Sequence, residues 1–278
     1  MSSSNNLVSA RRPKGVKARR KSHLKLTFPK LSGPNRSWSP NTLRTRLVLN
    51  YKHIPYTQSY LSYTHISPIL RSFNLAPLSN GPVPYTLPAI IHAPSLPSET
   101  GHALNDSWPI AQHLERTFPA PEYPSIFPTP ASYPLAVAVQ KILANVMVKG
   151  MSLHIPKVPN ILEPSCAEYF HRTRAVRFGK SLPDFAARGP DLERVWADIE
   201  AEFETLAAML RGAQAMQAKT GPFFEGDKLG YADLVVVAWL GWYFRNDRAD
   251  WERLVKVGKE ADEDAAAAEN GPILFKPM

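Results

Sequence analysis

The sequence predicts two domains of different class, an α/β domain in the first 119 residues and an all-helical domain after it. Strand and helix patterns alternate as far as Phe118, and strand patterns fade beyond Pro130. Residues 120–130 between them are rich in proline, which is typical of a linker. With 278 residues, 44% of them hydrophobic, the chain can bury the core of one large or two small domains.

Seven short elements make up the predicted α/β domain, which spans residues 23–119. Leu24 to Phe28 alternates as a half-buried strand does, and Leu43, Leu47 and Tyr51 recur at four-residue steps, as on one face of a helix. The other predicted elements are a strand over 56–61, a short helix over 68–73, strands over 87–91 and near 102–104, and a helix that Asp106-Ser107 caps, with Ile110, Ala111, Leu114 and Phe118 on its apolar face. The order βαβα–ββα is typical of a thioredoxin-like unit.

Long helices dominate the second predicted domain, which spans residues 131–258. We predict helices over 133–149, over 191–218, which is rich in strong helix formers, and over 230–244, which is apolar nearly all round. The acidic tail over 259–278 is predicted to be loosely held. The predicted fold is therefore an N-terminal thioredoxin-like domain followed by an all-helical C-terminal bundle.

The net charge of +9 is unevenly distributed. Residues 1–98 hold 14 Lys+Arg and no acid, whereas the remaining 180 residues hold 19 Lys+Arg and 24 Asp+Glu. A basic front half attracts nucleic acid, an anionic membrane or a small anionic ligand, and charge alone leaves these open. The predicted disordered basic leader, residues 1–22, contains Lys17-Ala18-Arg19-Arg20-Lys21, which resembles a nuclear-import patch. Its composition also resembles a mitochondrial transit peptide, although Pro13 and Gly15 interrupt an amphipathic helix.

Several other classes of function have no support in the sequence. Cys166 is the only cysteine, which suits a reducing compartment such as the cytoplasm and favours a core residue over a nucleophile. No run of about eighteen apolar residues indicates a membrane span, and no signal-peptide core lies near the N-terminus. The histidines show no metal-ligand spacing, so no metal is expected.

Six motifs in order along the chain resemble those of soluble glutathione transferases, and most closely the fungal etherase-like members related to bacterial β-etherases. They are Ser37-Trp38-Ser39-Pro40-Asn41-Thr42, Leu49-Asn50-Tyr51-Lys52, Pro84-Tyr85-Thr86-Leu87-Pro88-Ala89-Ile90, Asp106-Ser107-Trp108-Pro109-Ile110-Ala111, Tyr169-Phe170-His171-Arg172-Thr173-Arg174 and Phe224-Glu225-Gly226-Asp227-Lys228-Leu229-Gly230-Tyr231-Ala232-Asp233. The resemblance implies glutathione as co-substrate and a small hydrophobic electrophile as second substrate. It implies no nucleic-acid partner and allows a homodimer.

Ser39 precedes Pro40, a residue favoured in the first helical turn, so its plain structural role is an N-cap. The resemblance implies a second role, in which the Ser39 hydroxyl donates a hydrogen bond to the glutathione sulfur. The N-terminus of the helix would favour the thiolate there as well. Asn41 is the second candidate donor. The sequence places no His or acid to activate Ser39, so Ser39 is not predicted to be a nucleophile.

Two further motifs are implied to hold the rest of glutathione. Leu87-Pro88 matches the family's cis-proline, where an extended tripeptide would pair with the Leu87 backbone, although a proline here could simply mark a strand edge. Asp106-Ser107 matches the pair that binds the γ-glutamyl end, and its plain interpretation is another helix cap. Lys52 is the candidate partner of the glycyl carboxylate.

The second substrate is expected between the domains, against aromatic walls. The candidates are Trp38, Tyr169 and Trp242, with Phe170 and Trp239 beside them, and each is explained equally well as a core residue. If turnover has been lost, the alternative function is a glutathione-binding or accessory protein, for example in a fungal biosynthetic pathway.

The late helix departs from the family pattern at its start. The family carries a Ser or Thr cap three residues before the acid that is Asp233 here, whereas this chain has Gly230. The sequence therefore predicts that Gly230→Ser stabilises the helical domain by up to about 1 kcal/mol.

Overall fold

The computed structural model describes residues 24–29, 38–79, 83–92, 102–217 and 221–257. The predicted leader and tail lie outside these residues. The N-terminal part is a four-stranded sheet with the strand order β2-β1-β3-β4. Its strands are β1 (Leu24–Pro29), β2 (Tyr56–Leu61), β3 (Ala89–His92) and β4 (His102–Asn105). β1 pairs in parallel with β2 and antiparallel with β3, and β3 pairs antiparallel with β4.

Three helices complete this α/β part: α1 (Pro40–Tyr51), α2 (Tyr63–Ser72) and α3 (Ser107–Thr117). The predicted βαβα–ββα order and the thioredoxin-like class are confirmed. The predicted bounds of the second helix were wrong, because α2 begins at Tyr63 and contains Pro68. Ile66 and Leu70 on α2 pack against Leu87 and Ala89, and this burial offsets the helical hydrogen bond that Pro68 cannot donate.

The C-terminal part is helical, as predicted. Its elements are α4 (Ser132–Lys149), α5 (Met151–His154), a 3₁₀ helix (Ile155–Ile161), α6 (Pro164–Phe178), α7 (Leu182–Phe185), α8 (Pro190–Gln217), α9 (Tyr231–Asn246) and α10 (Arg248–Leu254). α9 is the central helix and packs against α1, α4 and α10. Its nearly all-round apolar sequence follows from contacts on several sides.

α1 joins the two parts of the molecule, since it packs against β1 and α3 and also against α9. One apolar core therefore runs from Leu49 and Ile90 in the α/β part to Val235 in α9. Because α1 is covered on more than one side, the polar residues Thr42 and Arg44 are buried along with its apolar ones. At the C-terminal end of α1, the Tyr51 hydroxyl donates to the Leu229 carbonyl, just before α9, at 3.4 Å.

None of the described helices alone is long and apolar enough to cross a membrane. Only α4 taken together with residues Met151–Ile161 passes that test by length and composition, and this pair is bent by 63°.

Candidate functional site

The start of α1 forms the first corner of the candidate site. Ser39 is half-buried, with extended backbone angles (φ −64°, ψ 131°), and Pro40 follows as the first helical residue. The Ser39 carbonyl accepts hydrogen bonds from the Leu43 N–H and the Thr42 hydroxyl, both at 2.9 Å. Within the described residues the Ser39 hydroxyl makes no capping bond, so the helix begins without using it. Asn41, in the first turn of α1, is exposed.

The second corner is the entry to β3. The Leu87–Pro88 peptide bond is cis, as predicted. The Leu87 side chain is buried against α2, in the cluster with Ile66 and Leu70. The carbonyl of Pro88 accepts a hydrogen bond from the Asp106 N–H at 3.1 Å. The second and third corners are therefore tied together through their backbones.

The third corner is the start of α3. Asp106 is half-buried and has a left-handed backbone (φ 74°), which is uncommon for a residue other than glycine. Its carbonyl accepts from the Ile110 N–H at 3.1 Å, but its side chain makes no capping hydrogen bond among the described residues. Asp106 is therefore the N-cap residue of α3, as predicted, but it caps the helix without its side chain. Its backbone starts the helix, and its carboxylate does not serve as the cap. Ser107 is buried, with 2% of its surface exposed.

Two residues beside this corner were missed at the level of sequence. Arg44 on α1 is buried, and its Nε atom has no hydrogen-bond partner among the described residues. Burial lowers the pKa of Arg44, while the nearby Tyr231 and Asp106 raise it. Tyr231 at the start of α9 donates from its hydroxyl to the Ser107 carbonyl at 3.5 Å. Burial raises the pKa of Tyr231 to about 12, so this hydroxyl stays neutral and able to donate at neutral pH.

A weak sequence signal for Arg44 existed. It is a cation on the helix that carries Ser39, five positions further along. Nothing local marks Tyr231, because its role depends on where α9 packs.

Comparison with known proteins identifies the family. The model described as glutathione S-transferase, N-terminal domain, matches residues 38–117, and the one described as glutathione S-transferase, C-terminal domain, matches residues 135–265. The chain is 42% identical over 233 residues to glutathione S-transferase-like protein ustS of Aspergillus flavus, a match that covers 83% of each protein. The chain belongs to the glutathione S-transferase family.

Solved structures of fungal glutathione transferases have the same overall fold. A glutathione S-transferase of Ceriporiopsis subvermispora in complex with glutathione is 28% identical, with a TM-score of 0.68 over 86% of this chain and 97% of that one. Glutathione transferase GSTFuA3 of Phanerochaete chrysosporium is 26% identical, with a TM-score of 0.71 over 86% of this chain and 93% of that one. The thioredoxin-like domain followed by a helical domain is thus the fold of this family member.

Lys52 is not placed to bind a ligand in this family member. The residue is fully buried, and its ammonium group lies 2.7 Å from the Glu115 carboxylate and 2.8 Å from the Pro124 carbonyl. Glu115 also accepts from the Ser125 hydroxyl and, at 3.2 Å, from the Ile126 N–H. The prediction that Lys52 meets the glycyl carboxylate is therefore not supported, because Lys52 fastens the linker to α3.

Two of the three candidates for the second-substrate wall lie in the core. Trp38 is 6% exposed and belongs to the main hydrophobic cluster. Trp242 is 2% exposed, with its ring centroid 5.0 Å from that of His154 and 5.1 Å from that of Trp239. Their prediction as wall residues is not supported, because both side chains are buried in the main hydrophobic cluster. Of the three candidates, only Tyr169 keeps part of its surface.

Tyr169 lies where the two parts of this family member meet. Its ring stacks on Tyr63 of α2, with centroids 5.9 Å apart. Cys166, one turn earlier on α6, is buried and accepts a hydrogen bond from the Tyr63 N–H at 3.4 Å. Burial raises the pKa of the Cys166 thiol, which disfavours the reactive thiolate. Cys166 thus packs α6 against α2.

Proposed function

We propose that this protein is a glutathione transferase that acts on a small hydrophobic electrophile, by conjugation or by glutathione-dependent ether cleavage. The observation that carries the proposal concerns the starts of three elements in the α/β part. The open N-terminus of α1 at Ser39, the cis-Pro88 entry to β3 and the Asp106 start of α3 belong to one α/β unit, and the last two are joined by a hydrogen bond. Membership of the family supports the same conclusion.

Ser39 is proposed to stabilise the thiolate of bound glutathione. A thiol with a pKa of about 8.5 is mostly protonated at neutral pH, and lowering that pKa by one to two units raises the thiolate fraction roughly tenfold or more. The Ser39 hydroxyl is not used as a cap within the described residues, so it is available to donate to sulfur. The positive dipole end of α1 adds to this stabilisation. Asn41, exposed in the same turn, is the second donor.

The remaining contacts follow from the two other corners. The Leu87 backbone is proposed to pair with the extended tripeptide. The Asp106 carboxylate would hold the γ-glutamyl ammonium group, and the start of α3 at Ser107 would receive the γ-glutamyl carboxylate.

In the reaction, the glutathione sulfur would attack an electrophilic carbon and form a carbon–sulfur bond with its own electron pair. In conjugation to a chloroarene the carbon–chlorine bond breaks, and chloride leaves with that bond's electrons. In ether cleavage the carbon–oxygen bond breaks, and the aryl oxide leaves with that bond's electrons before taking a proton from water.

A second candidate is a protein that binds glutathione without turning it over, such as an accessory protein of a biosynthetic pathway. The burial of Trp38 and Trp242 favours it, since it removes two of the three expected walls of a second-substrate site. Turnover of a β-aryl ether or of chlorodinitrobenzene distinguishes the two functions. Retention on a glutathione-affinity column distinguishes both from a protein that binds only polyanions.

A homodimer in a reducing cytoplasm completes the proposal. Exposed apolar side chains on α4 support self-association, since Tyr133 and Val137 are each 47% exposed and Val148 is 68% exposed.

Replacing Ser39 by alanine tests the role of its hydroxyl. We expect the pKa of bound glutathione, followed by the ultraviolet absorbance of the thiolate, to rise by about one unit or more, with turnover falling about tenfold. S-Methylglutathione has no thiol to ionise and should bind the variant as tightly as the original protein. Ser62→Ala, which removes the serine preceding α2, is the matched control. If Ser39→Ala leaves both the thiol pKa and turnover unchanged, Ser39 only starts the helix.

A further inference from the structure

Arg44 is a buried cation whose surroundings do not account for all of its donors. Only 8% of its surface is exposed, and its Nε–H has no acceptor among the described residues. An arginine cannot shed its charge at physiological pH, and a buried charge is costly unless it is paired. A buried guanidinium is therefore retained only where a counter-charge or a function requires it.

Asp106 is the acidic group whose charge acts on Arg44 where α1 packs against α3. Tyr231 and Asp106 are the groups that oppose the effect of burial on Arg44, and Tyr231 is neutral because of its raised pKa. Asp106 thus supplies the negative charge of this group. The Asp106 backbone N–H donates a hydrogen bond to the Pro88 carbonyl, whereas the Asp106 carboxylate makes no capping bond within the described residues.

The three residues come from three helices that meet at one point. Arg44 is on α1, Asp106 precedes α3, and Tyr231 begins α9 and bonds to the Ser107 carbonyl. α1 packs directly against both other helices. The start of α3 is therefore braced by the helical domain through Tyr231 and faces a fixed positive charge from α1.

We propose that Arg44 is the positioning residue of the γ-glutamyl subsite, which acts by orienting the Asp106 carboxylate toward the ammonium group of glutathione. This inference rests on the proposed glutathione function. A carboxylate at a half-exposed corner rotates freely unless a neighbouring charge directs it, and a preorganised partner binds its ligand more tightly. Arg44 would thus determine selectivity for a thiol that carries an α-amino group.

Two ligands that differ only in that ammonium group test the inference. Glutaryl-cysteinylglycine keeps the thiol, the glycyl end and the terminal carboxylate of glutathione but lacks the amine. We expect the original protein to bind glutathione more tightly than this analogue in titration calorimetry. Arg44→Met should weaken glutathione binding by about tenfold or more and leave binding of the analogue nearly unchanged, so that the selectivity collapses.

Further variants separate positioning from a general loss of structure. Arg46→Met removes the same charge from the same helix and should keep the selectivity. Arg44→Lys keeps the charge without the planar guanidinium group and should lose part of the selectivity for glutathione. This variant tests the inference if Arg44→Met does not fold. Asp106→Asn should abolish the selectivity, with no further effect from Arg44→Met.

Equal weakening of both ligands by Arg44→Met, or no weakening of either, would overturn the inference and leave the proposed function standing. If the original protein bound neither ligand, the proposed glutathione function itself would fail.

Discussion

Gly230 precedes α9, and replacing it by serine tests how this helix is capped. Asp233 makes the acid half of a capping box, since its carboxylate accepts from the Gly230 N–H at 2.8 Å and from the Phe224 N–H at 3.0 Å. The backbone of Gly230 is extended (φ −114°), so any residue can adopt it. A Cβ atom there would, however, lie 2.9 Å from Oε2 of Glu225, closer than real Cβ contacts allow.

Hydrogen bonds hold the Glu225 carboxylate in its position. The hydroxyls of Thr129 and Ser132 both donate to it, with the Ser132 hydroxyl 2.9 and 2.8 Å from its two oxygens. Losing a hydrogen bond to a charged group costs about 1.5–3 kcal/mol, and overpacking adds about 1–3 kcal/mol. A serine cap contributes at most about 1 kcal/mol, and removing a glycine from the unfolded chain adds about 0.4–1 kcal/mol. The smallest combined loss exceeds the largest combined gain by about 0.5 kcal/mol, so the stabilisation expected from the sequence should turn into a destabilisation of about 0.5 kcal/mol or more.

Thermal unfolding followed by circular dichroism measures the effect. Gly230→Ser should lower the Tm by at least about 1–2 °C in a chain of this size, and Gly230→Ala should also lower it, because the Cβ atom causes the clash. In a Glu225→Ala background the clash is gone, and there Gly230→Ser should be neutral or stabilising. A raised Tm for Gly230→Ser with Glu225 present would refute this explanation.

Two further predictions concern buried charges. Lys52→Met should destabilise the fold by about 3 kcal/mol, because Glu115 loses its cation. The affinity of each folded molecule for glutathione should not change. A loss of glutathione affinity at an unchanged Tm would contradict this prediction. Burial lowers the pKa of His154 to about 3, from an ordinary value of 6.5. Between these two values the unfolded chain binds more protons than the folded chain. The free energy of unfolding therefore falls by up to about 1.4 kcal/mol for each pH unit below 6.5. Urea titrations between about pH 5 and pH 7, on either side of the ordinary histidine pKa, measure the free energy of unfolding. His154→Gln should reduce its dependence on pH, and an equal dependence in both proteins would exclude His154 as the cause.

The element order could be predicted because it depends on local patterns. The four-residue steps in α1 and the apolar run of α9 are visible within short windows, and both helices formed there. The bounds of α2 were harder to predict, because Pro68 indicates a start where burial of Ile66 and Leu70 carries the helix across it. Local preference yields to tertiary packing at such positions.

The sequence by itself determined the fold class, the family resemblance and the three motifs of the candidate site. Only the tertiary structure decided which side chains remain accessible there. The sequence suggested Lys52 and Trp242 as ligand contacts. In the structure, Lys52 pairs with Glu115, and Trp242 is buried in the packing around α9. Arg44 became a candidate only because α1, α3 and α9 meet around it. The physical reason is that burial and charge pairing depend on contacts between segments far apart in the chain, which no local pattern records.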